Sequence, residues 1–122
     1  GELDIMENVG YDLPKVHYAI HTEKYNHTKN NQKRHTVDCA TVATDFHLYG
    51  FEWRADKLTW YLDGVETYSV VKDEEGWEAW PFDQPFYLIL NFAFGGGWGG
   101  SQGVDLEGLP QEYVIDYVKV YR

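Results

Sequence analysis

Three acidic residues near the start of the sequence, Glu2, Asp4 and Glu7, have side chains that can transfer protons or attack carbon. In a flat β-strand the side chains alternate between two faces, so Glu2 and Asp4 share a face and Glu7 falls on the opposite one. A β-bulge between Asp4 and Glu7 adds one residue and returns Glu7 to the acidic face. We therefore expect a bulged strand with three carboxylates on one face.

Carboxylates crowded on one strand face repel each other, so protons are shared and at least one pKa should rise. One interpretation is a glycosidase pair, in which one carboxylate is the nucleophile and a second, kept protonated, is the general acid. Two other interpretations use the same residues: solvated acids on an ordinary half-exposed strand, and acids that together hold a metal ion. The spacing alone leaves all three open.

Short apolar or alternating runs separated by turn residues predict an all-β chain, most simply a β-sandwich. In the first run Leu3 and Ile5 should face a core, with Met6 as the bulged residue. Asp63-Gly64 between two apolar runs is a strong signal for a two-residue hairpin turn. The expected strands are residues 2–7, 16–22, 46–53, 58–62, 65–70, 86–94 and 112–121, and the polar stretch 23–36 is predicted to be a surface loop.

The composition of the 122 residues fits one domain with a neutral partner. Aromatic residues make up 17% of the chain, and their rings stack on sugar faces, although β-rich chains favour them in any case. The net charge of −10 argues against nucleic acid, anionic lipid and sulfated polysaccharides, which leaves a neutral glycan. The single cysteine, Cys39, permits no internal disulfide, and no apolar run is long enough to span a membrane.

Residues 95–100 match the spacing G-x-G-x-x-G of a dinucleotide-binding loop. No helix is predicted to follow them, so the structural context that gives this motif its phosphate-binding chemistry is absent. The glycines are instead expected to let the backbone bend around Trp98 and present its ring.

The histidines raise the question of a zinc site. His17 and His21 share a strand face, and His27, His35 and Cys39 follow them in the chain. Their spacing matches no short zinc motif, and most strand histidines are packing or hydrogen-bonding groups. We therefore do not expect zinc.

Sequence blocks in a fixed order carry a resemblance to a known family. They are E-L-D-I-M-E (2–7), H-Y-A-I-H (17–21), F-H-L-Y-G-F-E-W (46–53), W-Y-L-D-G (60–64), P-F-Y-L-I-L-N (85–91), G-G-W-G-G (96–100) and D-Y-V-K-V-Y (116–121). These blocks resemble glycoside hydrolase family 16, in the bulged form of the catalytic strand that is typical of laminarinases.

The resemblance implies a fold and a mechanism. The fold is a concanavalin A-like jelly-roll β-sandwich, and residues 1–122 are a single catalytic domain of this type or the C-terminal part of one. Glu2 is then the nucleophile and Glu7 the acid/base, and Asp4 holds Glu2 and tunes its charge. The resemblance also implies that the reaction retains configuration at the anomeric carbon.

Further residues receive roles from the same resemblance. His21 is expected beside Glu7 or the sugar, and Asn91 and Trp98 are expected to contact substrate, with a buried sandwich residue as the alternative for Trp98. Asp116 matches a calcium-ligating aspartate of the family. The resemblance thus implies a structural calcium ion, whereas catalysis itself is expected to need no cofactor.

The resemblance and the charge together predict a substrate. The bulged motif is typical of laminarinases, agarases and carrageenases, the acidic charge disfavours carrageenan, and the glycine-tryptophan loop favours β-1,3-glucan. We expect a secreted endo-β-1,3-glucanase that acts on laminarin-like polymers. The alternatives are a hydrolase of mixed-linkage β-glucan or agarose, a non-catalytic carbohydrate-binding β-sandwich, and a structural interaction domain.

The length of the chain suggests a partner. Family members of this kind are considerably longer, with the catalytic strand near the middle of the sequence. Half a sandwich leaves an apolar face and unpaired strand edges exposed. We therefore expect the chain to associate with a complementing N-terminal half or to form a homo-oligomer.

Overall fold

A computed structural model describes all 122 residues, which divide into two compact units, Gly1–Tyr87 and Leu88–Arg122. The first unit contains two antiparallel sheets of three strands each. The first sheet has the order β1 (Glu2–Glu7), β2 (Lys15–His21), β3 (Lys33–Asp38), and the second has the order β4 (Tyr49–Trp53), β5 (Lys57–Leu62), β6 (Val65–Val71). The prediction of an all-β chain is confirmed. None of the helices has the length and apolar character needed to cross a membrane.

The predicted bulge is present in β1. Asp4 lies opposite Ala19 and Glu7 lies opposite His17, so two residues of β1 face the single residue Tyr18 of β2. The sequence predicted that Leu3 and Ile5 face the core and that Met6 is the bulged residue.

The structure corrects the second part of that expectation. Leu3 and Met6 are the two residues of β1 that pack against the hydrophobic core. They lie three positions apart, so the extra residue lies between them, and Ile5 is the residue displaced from the core face.

The hairpin between β5 and β6 turns as the sequence predicts. Leu62 pairs with Val65, and the two residues between them, Asp63 and Gly64, both have positive φ (51° and 82°). Such a turn follows the right-handed twist of the strands, and Asp-Gly is among the few dipeptides that adopt it at low cost.

The core lies between the two sheets, because their central strands each bury one face. β2 contributes Val16, Tyr18 and Ile20, and β5 contributes Leu58 and Trp60. The remaining buried members of this cluster are Cys39, Val70, Trp80 and Phe82.

Trp60 occupies the middle of this core and is fully buried. Its ring lies 4.9 Å from Phe51, 5.1 Å from Tyr68 and 6.1 Å from Tyr18, measured between centroids. Its indole Nε1 donates a 3.0 Å hydrogen bond to the backbone oxygen of Asp4. One side chain therefore ties the second sheet to the acidic strand of the first.

The structure contains one strand that the sequence did not predict. β3 lies within the stretch expected to be a surface loop at 23–36 and extends two residues beyond it. Only Val37 of β3 packs against the core, while His35 stacks on Tyr68 at 5.1 Å. Because β3 is largely exposed, its sequence lacks the apolar alternation of a strand, and pairing with β2 defines it instead.

Two predicted strands are absent. Residues 86–94 and 112–121 form no strand, and most of their large apolar side chains are exposed. A strand needs a hydrogen-bonded neighbour as well as a suitable sequence, and this chain supplies no neighbour to either segment. The second unit, Leu88–Arg122, contains a single regular element, the short helix α1 (Gly96–Gly99).

We expect Trp60→Phe to lower the free energy of unfolding by about 2 kcal/mol, because it removes a buried hydrogen bond and leaves a small cavity. Trp77→Phe is the matched control, since Trp77 is 65% exposed and should change stability by less than about 0.5 kcal/mol. Urea unfolding of both variants measures the difference, and equal losses would contradict the central position of Trp60.

Candidate active site

The bulge in β1 places the three acids on one face of the first sheet. Across the strand pair, Glu2 lies opposite His21 and Glu7 lies opposite His17. Residues directly opposite each other in an antiparallel pair project to the same face. The face therefore combines three carboxylates with two imidazoles, and the predicted arrangement of the acids is confirmed.

Asp4 lies at the centre of this face and is the most perturbed group. Its side chain is only 12% exposed. Burial, then the negative charges of Glu7 and Glu2 and a hydrogen bond with Glu2, raise the pKa of Asp4 to about 8. Asp4 is therefore protonated at neutral pH and can donate a hydrogen bond to Glu2.

Glu7 and Glu2 differ in their surroundings. Burial, and secondly the charge of Glu2, raise the pKa of Glu7 above its usual range. Glu2 is exposed at the beginning of β1. The face thus holds one solvent-accessible carboxyl group and one partly buried carboxyl group whose pKa is raised, an arrangement that fits the two roles acetal hydrolysis requires.

His21 lies beside Asp4, whereas the sequence placed it beside Glu7 or the sugar. Its Nε2 is 3.3 Å from Asp4 Oδ2, within ion-pair range but without hydrogen-bond alignment, and its ring meets His27 edge-on at 5.2 Å. Burial is the main cause that lowers the pKa of His21. A neutral His21 is therefore the partner of a protonated Asp4, and its contact with substrate stays a prediction.

Three residues that the sequence did not predict there share the acidic face: His17, Thr36 and Arg34. His17 lies opposite Glu7, and its Nδ1 is 3.0 Å from Thr36 Oγ1. Arg34 is exposed opposite Ala19, in the same register as Asp4. The alternation of His17, Ala19 and His21 was the available signal for His17, whereas Arg34 and Thr36 lie on the strand that was predicted to be a loop.

Three predicted site residues lie in the second unit. Asn91 is exposed in a segment without regular structure, and Trp98 lies in α1, 43% exposed, after two glycines with positive φ. Asp116 is exposed, also outside any strand. The roles of Asn91 and Trp98 in sugar binding stay predictions.

No group of three or more His, Cys, Asp or Glu side chains is arranged to hold a metal ion. A calcium ion at Asp116 stays an implication of the resemblance alone. The histidines have other contacts, since His35 stacks on Tyr68 and His21 meets His27 edge-on.

Comparisons with known proteins show what the chain is similar to. The chain is 46% identical over 127 aligned residues to a β-glucanase of Rhodothermus marinus, an alignment that covers 100% of this chain and 44% of that protein. The structure superposes on the laminarinase from Rhodothermus marinus with a TM-score of 0.85 and 42% identity, covering 88% of this chain and 45% of that one.

A second solved structure is similar to the same degree. SCLam, a non-specific endo-β-1,3(4)-glucanase from family GH16, matches with a TM-score of 0.83 and 42% identity, covering 88% of this chain and 41% of that chain. The two sheets thus match the jelly-roll fold of these structures, and the chain spans less than half the length of these relatives. The family model for glycosyl hydrolases family 16 matches residues 1–119. The chain therefore belongs to glycosyl hydrolase family 16.

Proposed function

We propose that this chain carries the catalytic strand of a retaining endo-β-1,3-glucanase that acts on laminarin-like polymers. The observation that supports this most directly is the bulged face of β1, where Asp4 holds a proton and the pKa of Glu7 is raised beside the exposed Glu2. Membership of family 16 agrees with this chemistry, as do the names of the relatives, which are a β-glucanase, a laminarinase and an endo-β-1,3(4)-glucanase.

Glu2 and Glu7 divide the first step between them. Glu7 donates its proton to the glycosidic oxygen as the bond to the anomeric carbon breaks, and a carboxylate oxygen of Glu2 attacks that carbon. Ester formation removes the negative charge of Glu2, which is one of the causes that raise the pKa of Glu7. The pKa of Glu7 then falls, so Glu7 stays ionised after it has given up its proton. As a carboxylate it can act as the base that takes a proton from the water that hydrolyses the ester.

Asp4 serves Glu2 in this scheme. A protonated Asp4 donates a hydrogen bond to the Glu2 carboxylate and keeps a third negative charge away from the face. His21 Nε2 lies 3.3 Å from Asp4 Oδ2. Asp4 therefore orients the nucleophile and limits repulsion without taking part in bond breaking.

The charge of the chain supports a neutral polymer as substrate. A net charge of −10 repels sulfated glycans. We propose laminarin as the preferred substrate, with mixed-linkage β-glucan second. A polymer of this kind cannot enter a cell intact, so we also propose that the protein is secreted, and immunoblotting of culture medium against cell lysate tests this.

We propose further that the apolar segments of the second unit are covered in the working protein by a complementing polypeptide that corresponds to the rest of the family fold. The exposed large apolar residues in these segments include Leu88, Ile89, Leu90, Phe92, Phe94, Val114, Tyr117, Val120 and Tyr121. So many exposed large apolar side chains are unusual for a monomer. A second copy of the chain is the other candidate.

The first prediction concerns turnover. Glu2→Gln should abolish release of reducing sugar from laminarin, and Glu7→Gln should reduce it by about 10²- to 10⁴-fold, since a general acid contributes about that much. An aryl β-glucan oligosaccharide with a good leaving group needs no proton, so it should partly rescue Glu7→Gln and leave Glu2→Gln inactive. Glu75→Gln, at a side chain that is 91% exposed, is the matched control.

Two proteins should be assayed: the chain itself, and a chimera in which it replaces the aligned segment of the Rhodothermus marinus laminarinase. The chimera provides the remaining half of the fold, so its inactivity with the fold intact would count against catalysis by these acids. Binding of laminarin without cleavage would favour the carbohydrate-binding alternative. Faster initial rates on agarose than on laminarin would overturn the substrate assignment.

The second prediction concerns stability and pH. Asp4 keeps its proton in the folded chain to about pH 8, whereas an unfolded aspartate releases it near pH 4. Unfolding therefore releases a proton in this window, and the contribution of Asp4 to stability, complete below about pH 4, is lost as the pH rises towards 8. Asp4→Asn should flatten this decline in urea unfolding measured between pH 5 and 8.

Asp73→Asn is the matched control for the pH experiment. A hydrogen bond from Lys33 lowers the pKa of Asp73, so this carboxyl group titrates below the window and its replacement should leave the decline unchanged. An Asp4→Asn variant with the same pH dependence as the parent would refute the protonated state of Asp4.

The third prediction concerns assembly. The isolated chain should sediment at a mass well above 14.2 kDa because its exposed apolar segments associate, while the chimera should sediment as a monomer. A discrete dimer with cooperative unfolding would favour the homo-oligomer. A monomeric isolated chain with cooperative unfolding would show that these segments need no partner.

A further inference from the structure

A second group of reactive side chains lies outside the acidic face. Cys39 Sγ is 3.5 Å from His47 Nε2, and His47 Nδ1 is 2.7 Å from Asp63 Oδ2. This order of thiol, imidazole and carboxylate, each within hydrogen-bond reach of the next, is the arrangement by which proteins activate a nucleophile. None of these residues contributes to the proposed glucanase chemistry.

Three separate parts of the first unit hold this group in place. Cys39 follows β3 directly, and its backbone N–H donates a 2.7 Å hydrogen bond to Pro14 O. His47 precedes β4, and Asp63 lies in the β5–β6 turn, where its other carboxylate oxygen accepts a 2.8 Å hydrogen bond from Leu48 N. The carboxylate is thus fixed by a backbone contact before it orients the imidazole.

The charges around His47 favour its action as a proton acceptor. The hydrogen bond to Asp63 raises the pKa of His47, and the same bond lowers the pKa of Asp63, which therefore stays ionised. Because a carboxylate only accepts, the proton of neutral His47 lies on Nδ1 and Nε2 has a free lone pair.

Other groups surround the same atoms. Asp45 adds a further negative charge near His47, and Thr41 Oγ1 lies 2.9 Å from Nε2 and competes with the thiol for it. On the core side, Tyr18 is the titratable group that interacts electrostatically with Cys39. All the charged groups that face His47 are therefore acidic, and they stabilise the imidazolium that forms when it accepts a proton.

We propose that Cys39 is a covalent modification site. His47 removes the proton of the Cys39 thiol, and the Cys39 sulfur then takes a thio group from a small uncharged disulfide. The proton passes from Sγ to His47 Nε2, Sγ attacks one sulfur of the disulfide, and the disulfide bond breaks as the new Cys39 S–S bond forms. The leaving thiolate departs with the electron pair, so the reagent is reduced and Cys39 is oxidised.

The surroundings of Cys39 select the reagent. Cys39 is 7% exposed and belongs to the hydrophobic core, so only a small molecule can approach its sulfur. The net charge of −10 disfavours anionic disulfides. A bulky substituent on a core sulfur also crowds its neighbours, so modification should lower the thermal stability of the chain.

The test uses 4,4′-dithiodipyridine, an uncharged disulfide that releases a coloured thiopyridone for each thiol modified. The parent should release one equivalent and Cys39→Ser none. At pH 6, His47→Gln should react about tenfold more slowly than the parent, because an unassisted thiol reacts mainly as the thiolate that forms at higher pH. The difference should shrink as the pH approaches 9.

Two further variants separate activation from access. Asp63→Asn tolerates the positive φ of the turn and keeps an acceptor for Leu48 N–H, and it should slow the reaction at pH 6 as His47→Gln does. Thr41→Val removes only the competing hydroxyl and should leave the rate within about threefold of the parent or raise it. Circular dichroism confirms that each variant is folded.

Equal rates for the parent and Asp63→Asn across this pH range would overturn the proposal, because the thiol would then react without help from the imidazole. Reaction of the parent only in denaturant would overturn it as well, since that would mark Cys39 as an inert core residue. Should His47→Gln unfold, the Asp63→Asn comparison alone decides.

Discussion

The contact that the site depends on most is the hydrogen bond from Trp60 to the backbone of Asp4. A bulged strand that carries three acids has little reason of its own to lie against a hydrophobic core, because its outer face repels itself and its register is interrupted. Trp60 holds it there, since the indole packs among the aromatic side chains of both sheets while Nε1 reaches the peptide oxygen at the centre of the acidic face. The position of the carboxylates is thus set from the core side.

This anchoring explains why the three acids do not all carry a negative charge. Once the backbone of Asp4 is fixed, its side chain stays partly buried between Glu2 and Glu7, and retaining a proton is the least costly way to remain there. Glu7 is affected in the same direction, and the exposed Glu2 lies nearest to solvent. The burial of the carboxyl groups differs along β1, and this difference separates the proposed acid from the proposed nucleophile.

The two histidine–carboxylate contacts of the chain behave in opposite ways. Beside Asp4, burial raises the pKa of the carboxyl group and lowers that of His21, so both groups tend to be neutral. Between Asp63 and His47, where the carboxylate is half exposed, the hydrogen bond dominates and the shifts are reversed, so the carboxylate stays ionised and the imidazole becomes the stronger base. The degree of burial, rather than the residue type, therefore decides the direction in which the pKa of each group shifts.

The sequence by itself determined the features that depend on neighbouring residues in the chain. The bulged acidic strand, the Asp63-Gly64 hairpin and the apolar centre of β5 all followed from local spacing and turn chemistry. Only the tertiary structure decided the features that depend on a distant partner. β3 is a strand because β2 pairs with it, and residues 86–94 and 112–121 are not strands because nothing in this chain pairs with them.

The same distinction holds for the site. The grouping of Glu2, Asp4 and Glu7 was predictable because a single strand carries all three. The placement of His21 beside Asp4, the approach of His17 to the face and the alignment of Cys39, His47 and Asp63 were not, since each joins residues from different strands or turns. Strand register and sheet packing set those distances, and neither is encoded in the spacing of residues along one segment.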